Sequence, residues 1–269
     1  HQLLRHTDKP IMSWPVATIG ENEKVFKMIE MVMGEGYLAS HYFVTASVCA
    51  LSPLQYAQES ADTIIAYARA NQPVTVLTAP MTGVSTPISD IGALVAQNAE
   101  LLAGIVLAQL VQPGVPVIYG TATYAADMRS GAFITGSPLS NLIDRAALQL
   151  AQSLYHVPTR TLAGNTDAKV PDIQAGYETM QNYIQLLMGG THMINECLGI
   201  LDGMMTVSYE KYIIDEEMLR RVGCMMRGLD TSEASFDMGV LLETPHMEPF
   251  LMHESTLAAC SGQWQPDVA

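Results

Sequence analysis

Six short runs of β-forming residues open at Pro10, Tyr42, Pro73, Pro116, Pro158 and Thr191, so that successive starts lie 32, 31, 43, 42 and 33 residues apart. A strand followed by a parallel neighbour needs a crossover, usually a helix, and strand, helix and two loops together take about 30 residues or more. The spacing therefore predicts a βα array, with parallel strands at Pro10–Trp14, Tyr42–Ala50, Pro73–Ala79, Pro116–Thr121, Pro158–Gly164 and Thr191–Asn195 and a seventh at Phe236–Leu242. No GxGxxG segment follows any of them, which favours a TIM (β/α)8 barrel over a doubly wound sheet. The count is one or two strands short of eight, and the missing strands are expected before His1, where the chain opens without Met. No linker-like segment divides the sequence, so one partial barrel domain is expected over residues 1–269.

The helices between the strands carry their own punctuation. Ser89 and Asp90 offer N-caps before an apolar stretch from Ile91 to Val111 that Pro113-Gly114 stops. Gln97, Asn98, Glu100 and Gln109 interrupt that stretch all round, which argues for a buried helix holding a polar network in the barrel wall rather than a membrane span. Ser140 or Asn141 is placed to cap a helix running through Gln152, and Asp172 to cap one containing Gln174 and Glu178. The stretch YEKYIIDEEMLRRV, with acidic and basic residues at helical spacing, reads as a solvated face.

Composition narrows the classes of function. Hydrophobic residues make up 49%, enough for a large core, and 17 Met against 7% aromatics fit a helix-rich α/β interior rather than a β-sandwich. Thirteen Lys and Arg against 27 Asp and Glu give a charge of -14, which repels phosphate backbones and disfavours nucleic acid as a partner. Cys49, Cys197, Cys224 and Cys260 form no CxxC pair, so neither a zinc knuckle nor a disulfide framework is suggested and a reducing cytoplasm is the simplest setting. The run HMEPFLMHE, with His246, Glu248, His253 and Glu254, lacks HExxH spacing, and no metal site is expected.

In a βα barrel, reactive groups gather on the loops after the strands. Three such loops are dense in polar and small residues here, and the runs APMTG, QNAELLAGIVLAQL, PGVPVIYG, DMRSGAF and NTDAKVPDIQAGYE stand in the order found in one family. The chain resembles the central and C-terminal part of the trimethylamine methyltransferase (MttB-type) superfamily, whose members are longer. The resemblance implies a TIM barrel that passes a methyl group from an amine nitrogen to the cobalt(I) of a corrinoid carried by a separate protein docked over the barrel mouth, with no permanently bound cofactor. Trimethylamine enzymes of that family carry pyrrolysine, which this sequence lacks, so the resemblance points to a quaternary, betaine-like amine. Asn165 and Asp167 lie in the neighbourhood matched to the pyrrolysine and are the candidate catalytic residues.

A quaternary ammonium needs aromatic faces, each worth about 0.5–2 kcal/mol, with a carboxylate nearby. Tyr119, Tyr124, Phe133 and Tyr177, with the pair Tyr42-Phe43, lie on or beside the expected strand ends. Arg129 is the candidate fork for a substrate carboxylate, with Asp127 beside it. Asp127 and Arg129 form either a loop-pinning salt bridge or a contact to substrate or corrinoid, Asp167 and Lys169 either a surface ion pair or pocket lining, and His192 either faces the pocket or meets a backbone carbonyl. The alternative to an enzyme is a binding module that retains a quaternary amine without passing on its methyl group; a third reading, compatible with either, is an incomplete barrel folded by homo-oligomer contacts and inactive in isolation.

Overall fold

The computed structural model describes residues 2–13 and 18–262. Six strands, β1 (Ile11–Ser13), β2 (Val44–Cys49), β3 (Val74–Thr78), β4 (Val117–Thr121), β5 (Thr159–Leu162) and β6 (Met193–Asn195), pair in sequence order in one sheet. Every pairing is parallel. Each of the first six expected runs holds its strand; Trp14, at the end of the first, lies outside the described residues. The helices α1 (Ile19–Met33), α2 (Gln58–Arg69), α3 (Asp90–Val111), α4 (Pro138–Leu150) and α5 (Ile173–Leu187) supply the crossovers.

The two faces of the sheet differ in chemistry. Val44, Ala46 and Val48 of β2, Val74 and Val76 of β3, and Val117 and Tyr119 of β4 join Leu101 and Ala108 of α3 and Ala147 of α4 in one apolar cluster. These alternate positions face the helices, as the period of two requires. The opposite face is mixed: Thr45 and Thr75 share a hydroxyl hydrogen bond of 3.1 Å, and Ser47, Arg160 and Asn195 occupy the same side as Leu77, Ile118, Leu162 and Met193. Asn195 of β6 donates from Nδ2 to Met12 Sδ of β1 at 3.1 Å. In a flat sheet six strands wide, the edges would stand about 24 Å apart. The sheet is therefore curled with this face inward, an open half-barrel of six strands among the described residues rather than the closed ring of eight.

Helix α3 sits tightly on the sheet because Gly104 lets it approach. A Cβ there would come within 2.7 Å of Val76 and 2.5 Å of the Tyr56 hydroxyl. Its polar residues are used as the sequence suggests. Glu100 accepts hydrogen bonds from Ser52 Oγ (2.7 Å), the Leu54 amide (2.8 Å) and Thr78 Oγ1. Asn98 donates to the Tyr155 hydroxyl and accepts from the Tyr119 hydroxyl, both at 2.9 Å. Gln97 donates to Asp144 of α4 (3.3 Å) and accepts from Thr123 (3.1 Å). Helix α3 is also the one helix among the described residues long and apolar enough to cross a membrane, and its buried stripe runs from Ala93 through Gln97, Glu100 and Leu101 to Ala108.

Three expectations are corrected. Helix α4 opens at Pro138, after Ser137, because proline at the first position presets the helical φ and lacks an N–H that would go unpaired there. Ser140 and Asn141 are thus inside the helix and buried, and Asn141 donates to Asn182 at 2.6 Å. The helix ends at Leu150, and the chain continues as a π-helical turn over Ala151–Tyr155. The seventh expected strand, Phe236–Leu242, is the end of a 3-10 turn (Glu233–Phe236) followed by a short helix (Met238–Glu243), with Asp237 between them at φ 50°.

The chain divides into two compact units, His1–Asp215 and Glu216–Ala269. The half-barrel belongs to the first. Helix α6 (Tyr209–Arg227) begins in the first unit and ends in the second, which otherwise holds short helical segments.

Candidate active site at the carboxyl ends of the strands

The loops leaving β3, β4 and β5 build the mouth of the half-barrel. After β4 the chain passes through Ala122 and Thr123 into a small sheet in which Tyr124–Ala126 pairs with Met81–Thr82 from the loop after β3 and with Phe133–Ile134. This pairing sets Tyr124 edge-on to Phe133, with ring centroids 5.2 Å apart and planes at 73°. The Tyr124 hydroxyl donates to Met204 Sδ at 3.5 Å, and the ring packs with Ala122 and Leu162, with Ala79 and Met204 against them. Burial raises the Tyr124 hydroxyl above its ordinary range, with the carboxylates of Glu196 and Asp144 adding to the effect. It therefore stays a neutral donor at physiological pH.

Arg160 of β5 is buried at 2% exposure on the inner face of the curl. Its Nε donates to Asn195 Oδ1 at 2.9 Å, and its Nη1 is buried with no hydrogen-bond partner. Burial pulls the guanidinium below its ordinary range, while Glu196, Tyr124, Cys49 and Asp144 pull the other way. Burial likewise raises the Cys49 thiol, against the neighbouring Arg160 charge. Electrostatics thus couples this buried guanidinium to Glu196, Tyr124, Cys49 and Asp144, while its hydrogen bond goes to Asn195.

The loop after β5 is fixed from three sides. Asp167 accepts from the Thr135 amide (2.8 Å), the Thr135 hydroxyl (2.9 Å) and the Gly136 amide (3.0 Å), tying this loop to the one after β4. Glu178 of α5 accepts from Thr166 Oγ1 (2.5 Å), the Asp167 amide (2.8 Å) and Gln174 Nε2 (2.9 Å). Lys211 donates to the Gly164 carbonyl at 3.1 Å and to Asp215 at 2.6 Å, with both side chains of that pair at most 1% exposed. Gly164 permits the next loop to lie against it, since a Cβ there would collide with the backbone of Cys197.

The expected site residues separate into groups. Tyr124 and Phe133 meet at the mouth. Tyr119 is fully buried on the helix side of β4, bonded to Asn98, because it shares the register of Val117 rather than that of the inward Ile118 and Gly120. Arg129 is 94% exposed and pairs with Asp127 at 3.5 Å; Asp127 also accepts from the Arg129 amide (3.0 Å) and Ser130 Oγ (2.7 Å), so this loop is held by its own contacts. Tyr177 stands exposed on α5. Asn165 is buried with its Oδ1 unpartnered and its carbonyl accepting from Asn182 at 2.8 Å, while the Asp167 carboxylate is occupied as a loop pin. Lys169 pairs with Asp202 at 3.8 Å rather than with Asp167.

Elsewhere, Phe43 belongs to the core and Tyr42 is exposed, both at the amino ends of the strands, beside a pocket of about 190 Å³ lined by Met12, Thr45, Ile118 and Met193. His192 meets Thr159 through Nδ1, to the hydroxyl at 2.9 Å and the amide at 3.2 Å, rather than a carbonyl. His253 caps the helix Glu254–Ala259 by accepting from the Ser255 amide. Asp172 caps α5 through the Ala175 amide at 3.0 Å, as expected. Arg160, Asn195, Glu196 and Met204 were not singled out from the sequence, and neither was the Lys211–Asp215 pair, which departs from the solvated face expected for its segment.

Residues 1–269 match the family described as trimethylamine methyltransferase (MTTB). A proline betaine:corrinoid methyltransferase of Eubacterium limosum is 41% identical over 70% of this chain and 38% of its own length. A glycine betaine methyltransferase of Desulfitobacterium hafniense (strain Y51) is 38% identical over 76% of this chain and 43% of its own. A trimethylamine methyltransferase MttB of Methanosarcina barkeri is 41% identical over 69% of this chain and 37% of its own. The chain spans less than half the length of these curated relatives.

Proposed function

Since the chain belongs to the trimethylamine methyltransferase (MTTB) family, we propose that it forms the barrel wall and mouth of an enzyme moving a methyl group from a quaternary amine to a corrinoid on a separate protein. The observation that carries this reading is the match over the whole chain, together with relatives named for methylated amines and corrinoids. The partner's Co(I) supplies the nucleophile that accepts the methyl carbon. The N–CH3 bond breaks with its electron pair left on nitrogen, so a quaternary ammonium departs as a neutral tertiary amine and no proton need move.

That chemistry asks little of acid–base groups and much of positioning and water exclusion. Tyr124 and Phe133 offer ring surface for an ammonium, Met204 adds a polarizable thioether, and Glu196 supplies negative charge close by. Glu178 and Asp167 hold the loops that frame this surface. None of these groups has to change protonation state during the transfer.

The test mixes the intact protein, its reduced corrinoid partner and a panel of quaternary amines, and follows the absorption change from Co(I) to methylated corrinoid. Methylation by at least one quaternary amine is expected. Tyr124→Leu should weaken the binding of that amine by about 3- to 30-fold, the equivalent of one cation–π contact, while Tyr119→Leu leaves binding unchanged and lowers stability. No methylation with any quaternary amine, or equal binding losses for the two variants, would overturn the reading.

A further inference from the structure

Helix α3 buries one face against the sheet and bares the other, and the bared face is apolar from end to end. Ile91, Val95, Val106 and Leu110 are 53–78% exposed, Ala99 and Ala103 are exposed with them, and Leu102 is half-buried on the same side. At 100° per residue these positions fall within about a third of the helix circumference, opposite the buried stripe of Ala93, Gln97, Gly104 and Ala108. Between Ile91 and Val111 the one charged residue is Glu100, and it is buried. A helix on the surface of a domain ordinarily turns a polar side to water, whereas one that is apolar all round is covered all round.

We propose that the outer face of α3 is the contact between two copies of this chain, packed as an antiparallel helix pair about a two-fold axis. Such an interface must be self-complementary, so that if one residue meets a second on the other copy, the second meets the first. The bared positions obey that rule about the middle of the helix. Ile91 faces Leu110 of the other copy, Val95 faces Val106, and the small Ala99 receives the larger Leu102. Leu139 and Leu142 of the neighbouring α4 are 53% and 54% exposed and widen the face. From a rise of 1.5 Å per residue and a width of 10–12 Å, α3 presents about 350 Å² and α4 about 200 Å², so a pair would bury about 1,100 Å², above the 1,000 Å² or so that a specific interface needs.

Charge favours a second copy over a lipid surface. The chain carries -14, so two copies can approach only across an uncharged face, and the same charge opposes anionic lipid. The inner side of α3 is fastened to the fold through Gln97, Asn98 and Glu100, which keeps the helix from leaving it for a bilayer. Because α3 packs on β3 and β4 in the middle of the sheet, pairing there leaves the edge strands β1 and β6 uncovered.

The test is sedimentation velocity on the intact protein across a micromolar concentration range, where the wild type should run as an even number of chains. Val95→Glu sets a carboxylate against Val106 in both halves of the pair and should weaken association by about 100-fold or more, because a lone charge in the centre of an interface loses its water. Adding Val106→Lys to Val95→Glu brings opposite charges together at both crossings and should restore the assembly, which a parallel pairing would not allow. Both positions are exposed in the single chain, so neither change disturbs its core. A monomeric wild type, wild-type binding to anionic phospholipid vesicles in place of self-association, or an assembly that Val95→Glu leaves unchanged would each overturn the proposal. Dissociation by Val95→Glu without recovery in the double variant would overturn the antiparallel pairing.

Discussion

Asp144 shows how burial sets a single residue's chemistry. It is fully enclosed and accepts from the Thr123 amide (3.1 Å), Thr123 Oγ1 (2.6 Å) and Gln97 Nε2 (3.3 Å), yet desolvation outweighs these bonds and pushes its carboxyl up to about 6. With the folded value above the unfolded one, the unfolded chain gives up this proton first as pH rises. The associated stability is present in full below about pH 4 and is lost between about pH 4 and 6, an effect of about 3 kcal/mol. Asp144→Asn should abolish that component: the stability difference between wild type and variant, from urea unfolding at several pH values, should change across this window and level off above it. A difference independent of pH would show that Asp144 does not titrate there.

At the same scale lies the reason the site was only partly legible. Sequence position marks a strand end but not which side chain turns inward, and a one-residue change of register reverses the answer. Tyr119 and Tyr124 look equivalent in the sequence, yet the first bonds Asn98 on the helix side and the second reaches Met204 at the mouth. Arg160, standing between two threonines in TRTL, carries no motif at all, and only the curl of the sheet makes it an interior charge. Lys211 and Asp215 sit four apart in a charged segment, which is how a solvated face also looks.

Among the elements, the first six strands were readable because a crossover imposes its length on the sequence, and each of those six runs contains the strand observed. The failure at Phe236–Leu242 has a physical cause, since a short apolar run cannot be told from a helix by periodicity, and its Phe236, Met238, Leu241 and Leu242 are all exposed. Loops follow their pins rather than their composition. Asp167→Ala should release the Thr135 and Gly136 amides, which hydrogen exchange would detect as local loss of protection, at a stability cost of about 1–3 kcal/mol. Unchanged exchange at both amides would mean that the two loops are held together by other contacts.

On the scale of the whole molecule, a ligand that binds only the folded state must stabilise it by mass action. Glycine betaine at about 100 times its dissociation constant should contribute about 2.7 kcal/mol, raising the melting temperature of a chain this size by about 5 °C or more. Its carbon analogue 3,3-dimethylbutyrate, of the same shape without the cationic nitrogen, should raise it by less than half as much. Equal shifts in differential scanning calorimetry would argue that the charge on nitrogen is not what the protein recognises.

The single bond from Arg160 to Asn195 joins two neighbouring strands, and it makes the aim of the guanidinium depend on how those strands are threaded beside each other. A slip of β6 by one step would turn Asn195 out toward the helices and leave the cation without its guide, with scarcely any loss of sheet. The alignment of β5 with β6 thus sets where this buried guanidinium points, and mutations far from the mouth that loosen the outer strand should disturb it before they unfold the sheet.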